Sequence, residues 1–444
     1  MSRTADAILS PGERITMRGG RMPSPEAVQS TGSHEARAVE PGRDPASAAR
    51  VAVTSAQDVV HALRHAASAG LRVTTTPPAG SGTLLLDLSA FDATTVSPAD
   101  RTVRVGAGVR WNRLVASTAP HGLASLASED RTRSAVAETL VGAVSPLART
   151  FGLASDHVLC IDIVTPDGAV RAVTPEADPD LFSALRGGAA GLGVATGMIL
   201  GVVPLDALQA GSWRFSPRPA DAVADLLHRW RTWLVGLPES MSTRATVVAC
   251  ADGLALDLWF AHAGPRADGT ALLEELREVL PAPAAVTVAD VHRRGSRPHP
   301  NADAPRVGFV RGALLDALHP DAVDRLAEAV RAAPPGTCAE VRLRGGAMSR
   351  RAPVPGCVPG RRAAFSVRAV AAAQADADTL ADALDPWATG GTSLDLDDPR
   401  DARTARALRV GWGEKAFSLL TALRGRLDPD GVLAAPWEPG PVSS

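Results

Sequence analysis

The chain has 444 residues, 45 % of them hydrophobic, and a formal net charge of −2. That length allows two or three domains with sizeable cores, and the near-neutral balance argues against nucleic acid or an anionic membrane surface as the main partner. No apolar run reaches the ~18 residues of a membrane span, and the opening MSRTADAILSPGER lacks a secretory pattern, so the expectation is a cytoplasmic protein. Cys160, Cys250, Cys338 and Cys357 are scattered without CxxC spacing, so neither disulfides nor a metal site is expected. No tyrosine occurs, which leaves no phenol for proton transfer.

Residues 1–50 are rich in Pro, Gly, Ser and charge, without a sustained period, and read as a disordered segment. Order begins at Val51. VAVTSAQDVVHALRHAASAGLRVTTT reads strand, helix, strand, with Ser55 as N-cap, Asp58 three residues on and Gly70 as the stop. A short loop follows, Pro77-Pro78-Ala79-Gly80-Ser81-Gly82. Strands then flank a turn at Ser97-Pro98-Ala99-Asp100, and Thr102 and Arg104 alternate with Val103 and Val105 as in a half-buried strand. Between Ser125 and Gly201 lie two small-residue turns, Thr139-Leu140-Val141-Gly142-Ala143 and Gly187-Gly188-Ala189-Ala190-Gly191-Leu192-Gly193. Between them stand a strand pair broken by Pro166-Asp167-Gly168 and a helix capped by Asp178 and Pro179. Small residues allow positive φ and close backbone approach. The two turns read either as a cradle for a large, flat, anionic ligand or as ordinary tight turns.

Beyond Val203 helices such as ADAVADLLHRWRTWLVGLP alternate with antiparallel strand patterns (TRATVVACA, LALDLWFAHAG, CAEVRLRGGAM, AAFSVRAVAA), an α+β arrangement with helices on one sheet face. Arg342 and Arg344 alternate with Val341 and Leu343, giving that strand one basic face. It reads as a contact for an anionic or polar substrate, or as a solvated edge.

The order SPLART, FGLASDHV, IDIVTPDG, DPDLFSALRGG, GLGVATG resembles the berberine bridge enzyme-like flavoproteins of the vanillyl-alcohol oxidase / para-cresol methylhydroxylase superfamily, over about Val51 to Trp437. The resemblance implies an α+β fold. A two-subdomain FAD-binding domain (51–203) is followed by an antiparallel-sheet substrate or cap domain (204–398), and a closing segment (399–444) returns to the FAD half. It implies cofactor contacts at Gly80, Ser81, Gly82, Ser134, Ala137, Thr139, Leu140, Gly142, Gly193 and Val194, substrate contacts at Arg342 and Arg344, and a small-molecule substrate.

The pattern departs from the family at chemically telling positions. The first loop has two prolines, which lack an N–H donor, and no histidine for a covalent flavin bond. Ser134, Ala137, Val141 and Ala143 stand where glycines are usual, and no cysteine offers a second link, so FAD is expected to be noncovalent. Relatives carry tyrosine and asparagine where this chain has Ser393 and Asp395. A serine hydroxyl is a poor base, which makes Asp395 the replacement candidate beside Ser393. The expected activity is an FAD-dependent oxidoreductase passing hydride from an organic molecule to FAD, with dioxygen as acceptor. The alternative is a flavin-free descendant acting as a non-redox cyclase, isomerase or binding protein.

Overall fold

The computed structural model describes residues 49–76, 82–188, 191–290, 308–396 and 402–435. Gly80 and Ser81 therefore lie outside the described residues. β1 (Ala49–Ala52), α1 (Ala56–Ala69), β2 (Arg72–Thr74) and β3 (Thr83–Asp87) open the fold. They form a parallel three-stranded sheet in the order β1-β3-β2, so β1 and β2 meet through β3. α1 begins where the Ser55 hydroxyl accepts from Asp58 N and the Asp58 carboxylate accepts from Ser55 N, which satisfies two amides that a helix start leaves free. It ends at Gly70, with φ 65°. Val59, Val60, Leu63 and Ala66 cover the sheet.

The second unit contains β4 (Thr94–Ser97), β5 (Thr102–Gly106), α2 (Trp111–Thr118), β6 (Leu123–Ala124), α3 (Ala135–Leu140), α4 (Ala148–Phe151), β7 (Val158–Val164), β8 (Val170–Val173), α5 (Pro179–Gly188), β9 (Val194–Gly201) and β10 (Val203–Pro204). Its main sheet has five strands in the order β4-β5-β9-β7-β8. Pro166-Asp167-Gly168 turns β7 into β8: the Thr165 hydroxyl donates to the Asp167 carboxylate at 2.5 Å. Asp178 caps α5 by accepting from Leu181 N at 3.0 Å.

The third unit is built from β11 (Leu208–Arg218), α6 (Ala220–Trp233), β12 (Met241–Cys250), β13 (Gly253–Ala263), α7 (Arg266–Val279), β14 (Ala285–Asp290), β15 (Phe309–Leu315), α8 (Pro320–Ala332), β16 (Cys338–Leu343), β17 (Phe365–Ala371) and α9 (Gln374–Asp382). Its antiparallel sheet has seven strands in the order β14-β11-β13-β12-β16-β17-β15. Strand alternation divides the labour between faces. Ala245 and Val247 of β12 and Ala339 and Val341 of β16 join the core beneath α6, α7 and α8. Arg244, Glu340 and Arg342 point the other way, towards Glu129 of the second unit.

α10 (Ala402–Leu427) bends at Gly413 (φ 71°) and carries the chain back to its start. Val73 N donates to Val432 O at 2.7 Å, and Ala434 N donates to Val73 O at 2.9 Å. Arg424 supports this return through Gly191 O and Leu433 O at 2.7 and 2.6 Å. Arg149 of α4 crosses to the cap sheet. It donates to Met241 O at 2.8 Å and to the carbonyls of Arg344 and Leu237, and it is 7 % exposed.

Gly187 has φ +103°, and a Cβ there would fall on the main chain of Val358. Gly187→Ala should therefore cost about 3 kcal/mol or more, combining backbone strain with overpacking. Gly70→Ala meets open space at φ +65° and should cost only about 1 kcal/mol. Urea unfolding midpoints of the two variants check the contrast.

Candidate functional site

The two small-residue turns come together as the resemblance implies, since α3 packs on α5 and β9. Ser134 is the N-cap of α3. Its hydroxyl accepts from Ala137 N at 3.2 Å and donates to Ala107 O at 2.7 Å. Thr139 is fully buried, with its hydroxyl donating to Ala135 O at 2.7 Å, and Leu140 is core. Val194 is buried as well. A Cβ at Gly142 would lie 2.9 Å from Val358 Cγ1, and one at Gly193 would lie 2.5 Å from Ile163 Cδ1. The close approach at both glycines is thus to the chain's own side chains. The positions left accessible are Ala137, Gly82 and, in part, Ser134, Val141 and Gly193.

These accessible positions decide how a flavin fits. They form a face of short side chains along α3 beside the start of β9, which a flat ring system or a dinucleotide can approach closely. Neither α3 nor the Gly191–Val194 turn carries a histidine or cysteine, so the described part of the cradle suits a noncovalently held FAD.

Between this face and the cap sheet lies a charged seam. Arg244 is 1 % exposed and meets Glu129 and Glu340 as ion pairs rather than as well-aligned hydrogen bonds. Its guanidinium also lies 4.6 Å from the centroid of the Trp259 ring, a cation–π contact. Arg342 lies 3.1 Å from both Glu129 and Glu340. Burial opposes the Arg342 charge, but Glu129 and Glu340 overcome it and push the pKa up. At Glu340 burial likewise opposes ionisation, and Arg244 and Arg342 still hold the pKa below the usual carboxylate range. A cavity of about 10 Å³ lies beside this seam, bordered by Glu129, Ser242, Thr243, Trp259 and Arg342; that is room for about one water.

β16 is an interior strand, so Arg342 and Arg344 do not stand on a solvated edge. They also differ from each other. Arg342 is neutralised by two carboxylates, whereas Arg344 is 1 % exposed and two of its guanidinium nitrogens have no partner. Ser393 and Asp395 do come together: the Ser393 hydroxyl donates to Asp395 Oδ1 at 2.6 Å. The Asp395 charge reaches Glu138, Arg342 and Arg344.

Sequence reasoning did not single out Glu138 as a candidate site residue. It lies one turn beyond Ser134 on α3, with Arg133 Nε 2.6 Å away. Burial raises its pKa, Arg133 and a hydrogen bond from Ser128 oppose the rise, and Asp395 adds to it. The sequence signal was an acidic residue inside a run of small ones.

The comparisons with known proteins agree with this geometry. The family described as FAD binding domain matches residues 47–174. Over that stretch the chain is similar to FAD-binding domains. An FAD-linked oxidoreductase, pytB, of Aspergillus terreus is 29 % identical over 170 residues, covering 35 % of this chain and 21 % of that protein. The (R)-6-hydroxynicotine oxidase of Paenarthrobacter nicotinovorans is 32 % identical over 150 residues, covering 32 % of this chain and 33 % of the oxidase. The matched stretch thus spans between a fifth and a third of these curated relatives. The solved structure of Physcomitrella patens BBE-like 1 superposes with a TM-score of 0.77 at 19 % identity, covering 87 % of this chain and 90 % of that one. This chain therefore shares the fold of that structure, an α+β architecture with a large antiparallel sheet and a returning C-terminal helix.

The seam yields a stability test. Glu129→Ala leaves the buried Arg244 and the half-buried Arg342 sharing one carboxylate and should cost about 3 kcal/mol. Glu239→Ala removes the half-exposed Arg350 pair (side chains 46 % and 40 % exposed) and should cost less than about 1 kcal/mol. Paired denaturation curves at low and high salt check both, with only the Glu239–Arg350 pair expected to weaken as salt rises.

Proposed function

We propose that this chain is an FAD-dependent oxidoreductase that oxidises a small organic molecule, with the cofactor held noncovalently and dioxygen as the final electron acceptor. What supports the reading above all is the family match over residues 47–174 combined with the accessible small-residue face of α3. Ser134, Ala137 and Gly193 are the described positions that would hold the flavin, with Gly82 at the neighbouring loop. Bound there, FAD would accept a hydride from a substrate carbon.

The chain's own contribution is electrostatic and positional. Oxidation of a C–OH or C–N group releases a proton as well as a hydride, and the proton requires an acceptor. No tyrosine exists to take it. Glu138 fills that role, because its pKa is raised by burial and therefore lies closer to neutrality, where a proton acceptor works best. Asp395, oriented by Ser393, sustains the raised pKa by repulsion. Arg149 fixes the cap sheet over α4 through main-chain carbonyls, which sets the width of the space between the halves.

The reading is tested by the visible spectrum of the purified chain. Flavin absorption released on denaturation is the expected result, and a chain that stays colourless after incubation with FAD would sink it in favour of a flavin-free role. Glu138→Gln should lower kcat by about a hundredfold and remove the acidic limb of the pH–rate profile. A carboxylate whose folded pKa is raised gives most stability below its unfolded pKa and loses it as pH rises through the folded value. The stability of Glu138→Gln relative to the parent should therefore increase as pH rises from about 4 towards neutrality, as read from thermal midpoints.

A further inference from the structure

We propose that Arg344 is the anion-holding residue of the substrate site, so that the molecule oxidised carries a carboxylate. This rests on the oxidoreductase reading for the word substrate, but the anion site stands on its own geometry. Arg344 is 1 % exposed, and its Nε and Nη1 have no hydrogen-bond partner. Its Nη2 reaches only Gly360 O, at 3.5 Å, the outer limit for such a bond. Guanidinium does not lose its proton in proteins, and a buried charge without partners is costly to keep. Each edge of the planar fork thus retains an unused donor, and a carboxylate docks on such an edge with two parallel N–H···O bonds.

The neighbouring groups do not supply the missing charge. Arg342 is matched by Glu129 and Glu340. Arg361 is held by both oxygens of Asp156 at 2.6 Å and adds repulsion at Arg344. Asp395 attracts Arg344 from a distance, but no ion pair joins them and Asp395 already accepts from Ser393. Gly360 is itself fixed in place, since its N–H donates to Gly411 O at 2.8 Å. A water would meet one donor but not the charge, whereas a carboxylate meets both. Asp395, whose charge is felt at Arg344, is felt at Glu138 as well.

The test is isothermal titration of the full purified chain, before and after saturation with FAD, with benzoate and hexanoate against benzamide and hexanamide. At least one carboxylate should bind at least about tenfold more tightly than its amide. Arg344→Gln should abolish that preference while leaving the amide unchanged, and Arg344→Lys, which keeps the charge but not the fork, should retain part of it. Arg344→Gln should also raise the thermal midpoint of the ligand-free chain, because a buried cation without partners has been removed. Equal binding of acid and amide would overturn the assignment, as would a lowered midpoint with carboxylate binding intact. Should Arg344→Gln fail to fold, an Arg344→Lys variant that keeps the parental preference in full would overturn it. Competition between FAD and benzoate for the flavin-free chain would reassign Arg344 to the cofactor and overturn it too. A chain that takes no FAD removes the oxidoreductase reading alone; the anion site is then judged by the benzoate titration.

Discussion

The contact on which the arrangement depends is Arg149, a cation carried by the first half of the molecule and bonded to main-chain carbonyls of the second. It reaches Met241 at the start of β12, Arg344 just beyond β16 and Leu237 before the sheet. Carbonyl acceptors cannot be titrated away, and in a site only 7 % exposed they are poorly screened by salt. The strands that carry Arg244, Arg342 and Arg344 are thereby fixed against α4. The Glu129 seam and the unmatched Arg344 are both consequences of that registration.

The same device recurs. Arg186 stacks on Phe182 at 4.4 Å and donates to Ser155 O, Val354 O and Pro355 O. Burial brings its pKa down to about 10, with Asp156 opposing, so it stays charged at neutrality. Arg424 ties Gly191 to Leu433. A planar fork with five donors can hold several carbonyls at once, which an ammonium group does less well. The composition agrees: Lys415 is the single lysine among 46 basic residues. Among the described residues Arg149, Arg186, Arg244, Arg311, Arg344 and Arg424 are buried, and Arg149, Arg186 and Arg424 act there as internal cross-links.

Local structure was legible where one short stretch contains all its own determinants. The Ser55–Asp58 box, the stop at Gly70 and the Pro166-Asp167-Gly168 turn each follow from neighbours within five residues. The alternation of β12 and β16 was also plain, because a two-sided strand writes its pattern directly into the sequence. What the sequence could not disclose are pairings at long range. Arg342 and Arg344 look equivalent on one strand face, yet Glu129, some two hundred residues earlier, neutralises only the first. Gly142 and Gly187 read as sites of close approach, and they are, but the visitor in both cases is Val358. Beyond being acidic among small residues, Glu138 carries no signal of its own in the sequence, because its partner Arg133 and the reach of Asp395 emerge only from the fold.

The return of the chain to its beginning has a bearing on how the molecule is made. β2 sits at the margin of a sheet of only three strands, and its free side is occupied by Val432 to Ala434. Ribosomal synthesis delivers β2 long before that covering segment, so for most of translation this margin is exposed with unmet amides. Closing a contact across roughly 360 residues is slow. β2 is thus sealed only after Val432 to Ala434 have been made, and until then chaperones or proteases have their opportunity there.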